Sequence, residues 1–174
     1  MIWAIVKRAA TGLVAALFLL VVLGVGILVL YPAFRRSMDD PGYAERIFAD
    51  VLAHDRVLAS RRWHRFGAED WDCTYAIVEF PKTAPPDPPT KGYDGRPWFL
   101  RYGGEWRPTP LPPLGSSTRD ALSFCARYWE EALADRLQVA LAEPGHWAVR
   151  DQVGETVSIY APKLGVAARV RFGD

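Results

Sequence analysis

From Ala9 to Phe34 the chain runs for 26 residues without a charged side chain. Within that run, Gly12 to Tyr31 supplies 20 consecutive residues that are apolar, small or aromatic. About 20 such residues form a helix that crosses ~30 Å of hydrocarbon. The flanks agree: Lys7 and Arg8 precede the run, Arg35 and Arg36 follow it, and Tyr31 stands where an interfacial aromatic belongs. A buried core helix of this length and apolarity would be unusual, and a cleaved leader has a shorter apolar core and a small-x-small cleavage site. Here Tyr31-Pro32-Ala33 puts a bulky residue where a small one is needed, and Gly24-Val25-Gly26 is followed by four more apolar residues. The expectation is an uncleaved transmembrane anchor over 9–34.

Cations flank both ends, so the positive-inside count nearly ties. An N-terminal tail of eight residues lacks acids, whereas Asp39 and Asp40 dilute the basic pair on the far side. This favours a cytoplasmic tail over 1–8 and an extracytoplasmic remainder, periplasmic in a bacterium. Gly12 and Ala16, like Thr11 and Ala15, stand four apart; such spacing allows two spanning helices to approach closely, and it also arises by chance in an Ala- and Gly-rich segment.

The connector 35–40 is short. With Phe34 it spans at most ~25 Å when fully extended, which would hold the domain that follows near the bilayer. Residues 35–174 carry 19 of the 21 cations and all 20 acids. A charge this close to balance gives no basic field, so nucleic acid is not an expected partner.

Residues 41–174 suffice for one core and read as an α+β domain of two helices and an antiparallel sheet of about five strands. Asp40-Pro41 marks a helix start, and Ile47, Val51, His54 and Leu58 recur at helical spacing, predicting a helix over about 41–60. Residues 73–80 alternate as a strand, with 98–102 as the expected partner. Ten of the 14 prolines fall between 81 and 113, giving proline-rich loops over 81–97 and 103–115. Ser117 or Thr118 then caps a second helix with the stripe Leu122, Cys125, Trp129, Leu133, Leu137 and Leu141. Strands are expected over 146–150, 156–161 and 166–172, the last with Arg169 and Arg171 on a solvated face.

Cys73 and Cys125 are the only cysteines. They stand on a predicted strand and on the inward stripe of a predicted helix, where an oxidising compartment would allow a bridge. Two separate buried thiols acting as small hydrophobes fit the same positions. The histidines, His54, His64 and His146, lack zinc-motif spacing, and no phosphate-binding or nucleophile motif occurs. No metal, cofactor or catalytic residue is therefore assigned.

Two segments carry the functional expectation. Arg61, Arg62 and Trp63 mix cations with an interfacial aromatic and suit the membrane surface, or pair with acids such as Glu69, Asp70 and Asp72. Tyr93, Trp98, Trp106, Arg107 and Leu111, in or beside the proline-rich loops, suit docking of a membrane or envelope protein. Loops that simply cover a core are the competing reading. The chain is thus expected to be a single-span accessory or interaction protein. A membrane-tethered hydrolase using Asp70 or Asp72 with His64, or a module binding an envelope polymer, is the alternative.

Overall fold

The computed structural model describes residues 12, 16–30, 39–62, 73–112 and 120–173. The chain divides into two units, Met1–Met38 and Asp39–Asp174. In the first, residues 16–30 are helical, with large apolar side chains such as Leu20, Leu23 and Leu28 exposed. Among the described residues no helix is long and apolar enough to cross a membrane. Residues 9–11, 13–15 and 31–34 of the expected anchor lie outside the described set.

The second unit is α+β. Its six-stranded antiparallel sheet comprises β1 (Arg56–Arg61), β2 (Cys73–Glu79), β3 (Arg107–Pro108), β4 (Trp147–Arg150), β5 (Thr156–Ala161) and β6 (Val166–Phe172). The spatial order is β1-β2-β6-β5-β4-β3. The helices are α1 (Pro41–Phe48), α2 (Ala121–Cys125) and α3 (Glu131–Ala142). The three C-terminal strands form the expected meander.

Both faces of the sheet are covered. On one, Tyr75, Ile77, Ile159 and Val170 pack against Leu122, Cys125 and Leu137 of α2 and α3. On the other, Val78, Tyr160 and Ala167 pack against Tyr43, Ile47 and Phe48 of α1 and against Tyr102. Central strands buried on both sides read as apolar runs rather than as alternation. This is why β2 and β6 bury nearly every residue. The expected wet face of β6 is corrected accordingly: Arg169 is 3% exposed.

Four further expectations are corrected. First, α1 is eight residues long and ends before Asp50, which adopts φ +58°. Val57 and Leu58 belong instead to β1, whose pairing shifts register between Val57 and Ala59. Such a bulge turns neighbouring side chains to one face, and Leu58 and Ala59 both pack against the α2–α3 side.

Second, the Asp40 side chain does not cap α1; it pairs with Arg46 at 3.0 Å. The capping acceptor is the Ser60 hydroxyl of β1, which takes the Ala44 N–H at 3.0 Å and donates to the Asp40 carbonyl at 2.6 Å. Third, residues 98–102 join no strand. Trp98–Leu100 makes a 3-10 turn after Pro97, and β2 pairs with β1 and β6 instead.

Fourth, the second helix breaks. After α2 a 3-10 turn, Ala126–Tyr128, leads to Trp129 in extended conformation before α3 begins. An unbroken helix over 121–142 would reach about 33 Å. A seven-residue strand spans only about 23 Å. The break keeps both helical pieces over the sheet, with Trp129 edge-on to Tyr75 at 4.9 Å. The cap of α2 is Asp120, which accepts the Ser123 N–H at 3.3 Å; Ser117 and Thr118 lie outside the described residues.

A disulfide joins Cys73 of β2 to Cys125 of α2, with Cα atoms 5.7 Å apart. Of the two readings left open by the sequence, the bridge is the one present.

The proline-rich segment forms a fixed second layer. Proline lacks an N–H but keeps its carbonyl, and three proline carbonyls accept aromatic donors. Tyr160 Oη donates to Pro85 at 2.5 Å, Trp147 Nε1 to Pro86 at 3.0 Å, and Trp106 Nε1 to Pro89 at 3.0 Å. Arg96 ties the same segment to the end of α1 through the Ile47 carbonyl at 2.7 Å. Tyr102 inserts to the sheet, where its hydroxyl donates to the Ile159 carbonyl at 2.8 Å.

Candidate functional groove

Antiparallel pairing places Ser158 opposite Arg169 and Thr156 opposite Arg171 on β5 and β6, while Val149 of β4 faces Ser158. A strand alternates faces with period two, so these five side chains share the α1 side of the sheet. Farther along the same strands, Tyr160 and Ala167 lie beneath the covering layer. The layer stops at 98–106, and the polar half of the face becomes the floor of an open groove of about 730 Å³.

Gly103 allows that turn. Its φ is +89°, and a Cβ there would meet the Trp106 ring at 2.9 Å. Its N–H donates to Ser158 Oγ at 3.3 Å, joining wall to floor.

Four of the five predicted docking residues line this groove: Tyr93, Trp98, Arg107 and Leu111. They come from separate stretches of the proline-rich loops and from the edge strand β3. Tyr93 and Trp98 are 41% and 57% exposed. Trp106 is not in the groove; it packs edge-on to Tyr102 at 5.3 Å beneath the loop. The covering and docking readings of the loops therefore divide residue by residue.

The predicted membrane-surface trio divides as well. Arg61 is buried, with its guanidinium 4.8 Å from the Tyr128 ring centroid. Arg62 is exposed and lies 5.9 Å from Phe99. Trp63 lies outside the described residues, as do His64, Glu69, Asp70 and Asp72.

Arg107 aside, sequence reasoning missed the groove's cations. Arg101 sits 5.1 Å over the Tyr93 ring and Arg171 4.3 Å over Trp98. Arg107 and Arg150 add two more, and Arg150 donates to the Pro112 carbonyl. Arg169 is the least ordinary. Its Nη1 donates to the Tyr43 hydroxyl at 2.8 Å and its Nη2 to the Trp98 carbonyl at 3.2 Å. Its Nε has no acceptor and it forms no ion pair among the described residues.

Burial lowers the Arg169 pKa from the usual guanidinium value; Tyr43 opposes the shift and Arg171 adds to it. A guanidinium nevertheless stays charged in a protein.

The histidines stand elsewhere. His54 follows α1, its Nε2 3.3 Å from a Glu45 carboxylate oxygen. His146 is buried, and its Nδ1 has no partner among the described residues. Burial lowers the His146 pKa, with Lys163 adding to the fall and Glu143 opposing it. Unfolded His titrates near about 6.5, so the unfolded chain binds this proton more readily than the folded one. The stability gained by keeping His146 neutral is complete above that pH and is lost as pH falls through the folded pKa. Thermal melts are expected to show a falling midpoint from pH 7.5 to pH 5, with a shallower fall in H146Q; parallel slopes would remove His146 from the account.

Among the described residues no group of three or more His, Cys, Asp or Glu side chains could hold a metal ion. The chain matches no protein-family model, no curated protein and no solved structure.

Proposed function

We propose that this chain is a single-span membrane protein whose 39–174 unit docks a membrane or envelope protein through the groove beside Trp98. One observation carries the reading: Tyr93, Trp98, Arg107 and Leu111, from separated stretches, converge on one open groove with a polar floor. Exposed aromatics on a rigid layer cost little entropy on binding and supply the apolar anchors of interfaces. Arginine beside aromatic rings is also enriched at such surfaces.

The membrane part of the proposal rests on the charge-free run over 9–34, acting as an anchor with 1–8 in the cytoplasm. The Cys73–Cys125 bridge supports an oxidising, extracytoplasmic location for the domain. The short connector 35–40 would then hold the domain near the bilayer.

A polymer-binding module would use Tyr93 and Trp98 as stacking platforms. One face of each ring is already taken by a guanidinium, which favours protein docking.

The test is photocrosslinking in native membranes, with benzoyl-phenylalanine in place of Tyr93 and, as control, in place of exposed Gln138 on α3. The expected result is a discrete adduct with one membrane or envelope protein from position 93 only. No adduct, or the same adducts from both positions, would count against docking.

A further inference from the structure

We infer that the occupant of the groove is an acidic peptide segment of the partner, with a carboxylate seated against Arg169 and Arg171 on the sheet floor. This rests on the docking reading and names the chemistry of what docks. Arg169 is almost wholly buried, lines the groove and lacks an ionic partner among the described residues. A buried cation without a counter-charge is costly, and an anion in the groove is the neutralising group the site lacks.

The remaining lining narrows the anion. Five arginines line the groove, but so do Glu105, Asp151 and Glu155. Three carboxylates oppose a phosphate dianion more strongly than a singly charged carboxylate. Trp98, Tyr93 and Leu111 offer apolar contact to flanking side chains, which a peptide has and a free phosphate lacks. Arginine, with its planar fork of donors, is suited to carboxylate recognition.

The test uses the full chain in phosphatidylcholine nanodiscs and a fluorescein-labelled decapeptide alternating Glu with Tyr and Ala. The control peptide has Gln at each Glu. Fluorescence polarisation should show binding of the Glu peptide. Binding should be at least about tenfold weaker for the Gln peptide and for the R171Q and R107Q chains, each shown by its thermal melt to be folded. Raising ionic strength should weaken it further.

Equal binding of the two peptides, or unchanged affinity in both variants, would overturn the inference. So would displacement of the Glu peptide by inorganic phosphate or by phosphatidylglycerol vesicles at matched charge, which would assign the site to phosphate. A crosslink from position 93 that persists in R171Q, with no Glu-peptide binding, removes the acidic occupant and leaves protein docking in place.

Discussion

Replacing Cys73 and Cys125 together by alanine is expected to lower the unfolding free energy of the 39–174 unit by about 4 kcal/mol. The bridge closes a loop of 52 residues, and on the chain-entropy model such a closure removes about that much from the unfolded ensemble's advantage. The enclosed chain explains why the loss should be felt. It holds the whole proline-rich layer, whose order depends on scattered side-chain bonds to carbonyls rather than on a sheet ladder. Both cysteines are fully buried between β2 and α2, so the alanines also forfeit packing. Domains of this size are stable by only about 5–15 kcal/mol. About a quarter or more of that margin would therefore depend on an oxidising compartment, which ties stability to the proposed side of the membrane. Urea unfolding of the full chain in micelles, followed by tryptophan fluorescence, is the measurement. A difference below about 1 kcal/mol between oxidised wild type and C73A/C125A would mean the bridge constrains little that packing does not already hold.

Local periodicity made much of the domain legible. Val166, Ala168, Val170 and Phe172 alternate because β6 packs that set against α2 and α3. The turns bounding β5 and β6 carry Gly154 and Gly165, both at positive φ. Cys125 was readable as inward-facing because the Leu122–Cys125 spacing survives in the short α2. What escaped was decided by distant partners. Whether 56–61 continues a helix or joins a sheet depends on β2, some 20 residues on, and on the Ser60 hydroxyl that caps α1 from that strand. The pairing of β2 with β6 joins residues almost 100 positions apart, so 98–102, nearer in sequence and equally aromatic, looked the better neighbour.

The site was half legible for the same reason. Exposed aromatics among prolines mark a surface by composition alone, and Tyr93, Trp98, Arg107 and Leu111 do meet there. Two of the cations that give the groove its chemistry, Arg169 and Arg171, were read as a wet strand face. Burial of Arg169 requires knowing that α1 and the loop layer cover that side of the sheet. Trp106 shows the converse: its sequence context resembles that of Trp98, but its indole N–H is committed to Pro89.

Arg169→Met is expected to stabilise the fold by about 1–3 kcal/mol while weakening acidic-peptide binding more than tenfold, because an apolar side chain of similar volume often outperforms a buried ion. The groups left behind can be satisfied. The Tyr43 hydroxyl still donates to the Phe99 carbonyl at 2.8 Å, and the Trp98 carbonyl still accepts the Arg101 N–H at 3.4 Å. Removing the buried charge also relieves its repulsion with Arg171, which shares that face of β6. Arg169→Lys separates charge from geometry: it retains the cation but loses the planar fork, so it should bind weakly without the gain in stability. Urea midpoints of the three chains, read beside the peptide titrations, check both halves. If R169M unfolds at lower urea than wild type, the bonds to Tyr43 and Trp98 outweigh the cost of burial, and Arg169 is a structural tie. If its midpoint rises and binding is lost, the fold gives up stability to keep a cation under the groove, as sites built for an incoming partner do.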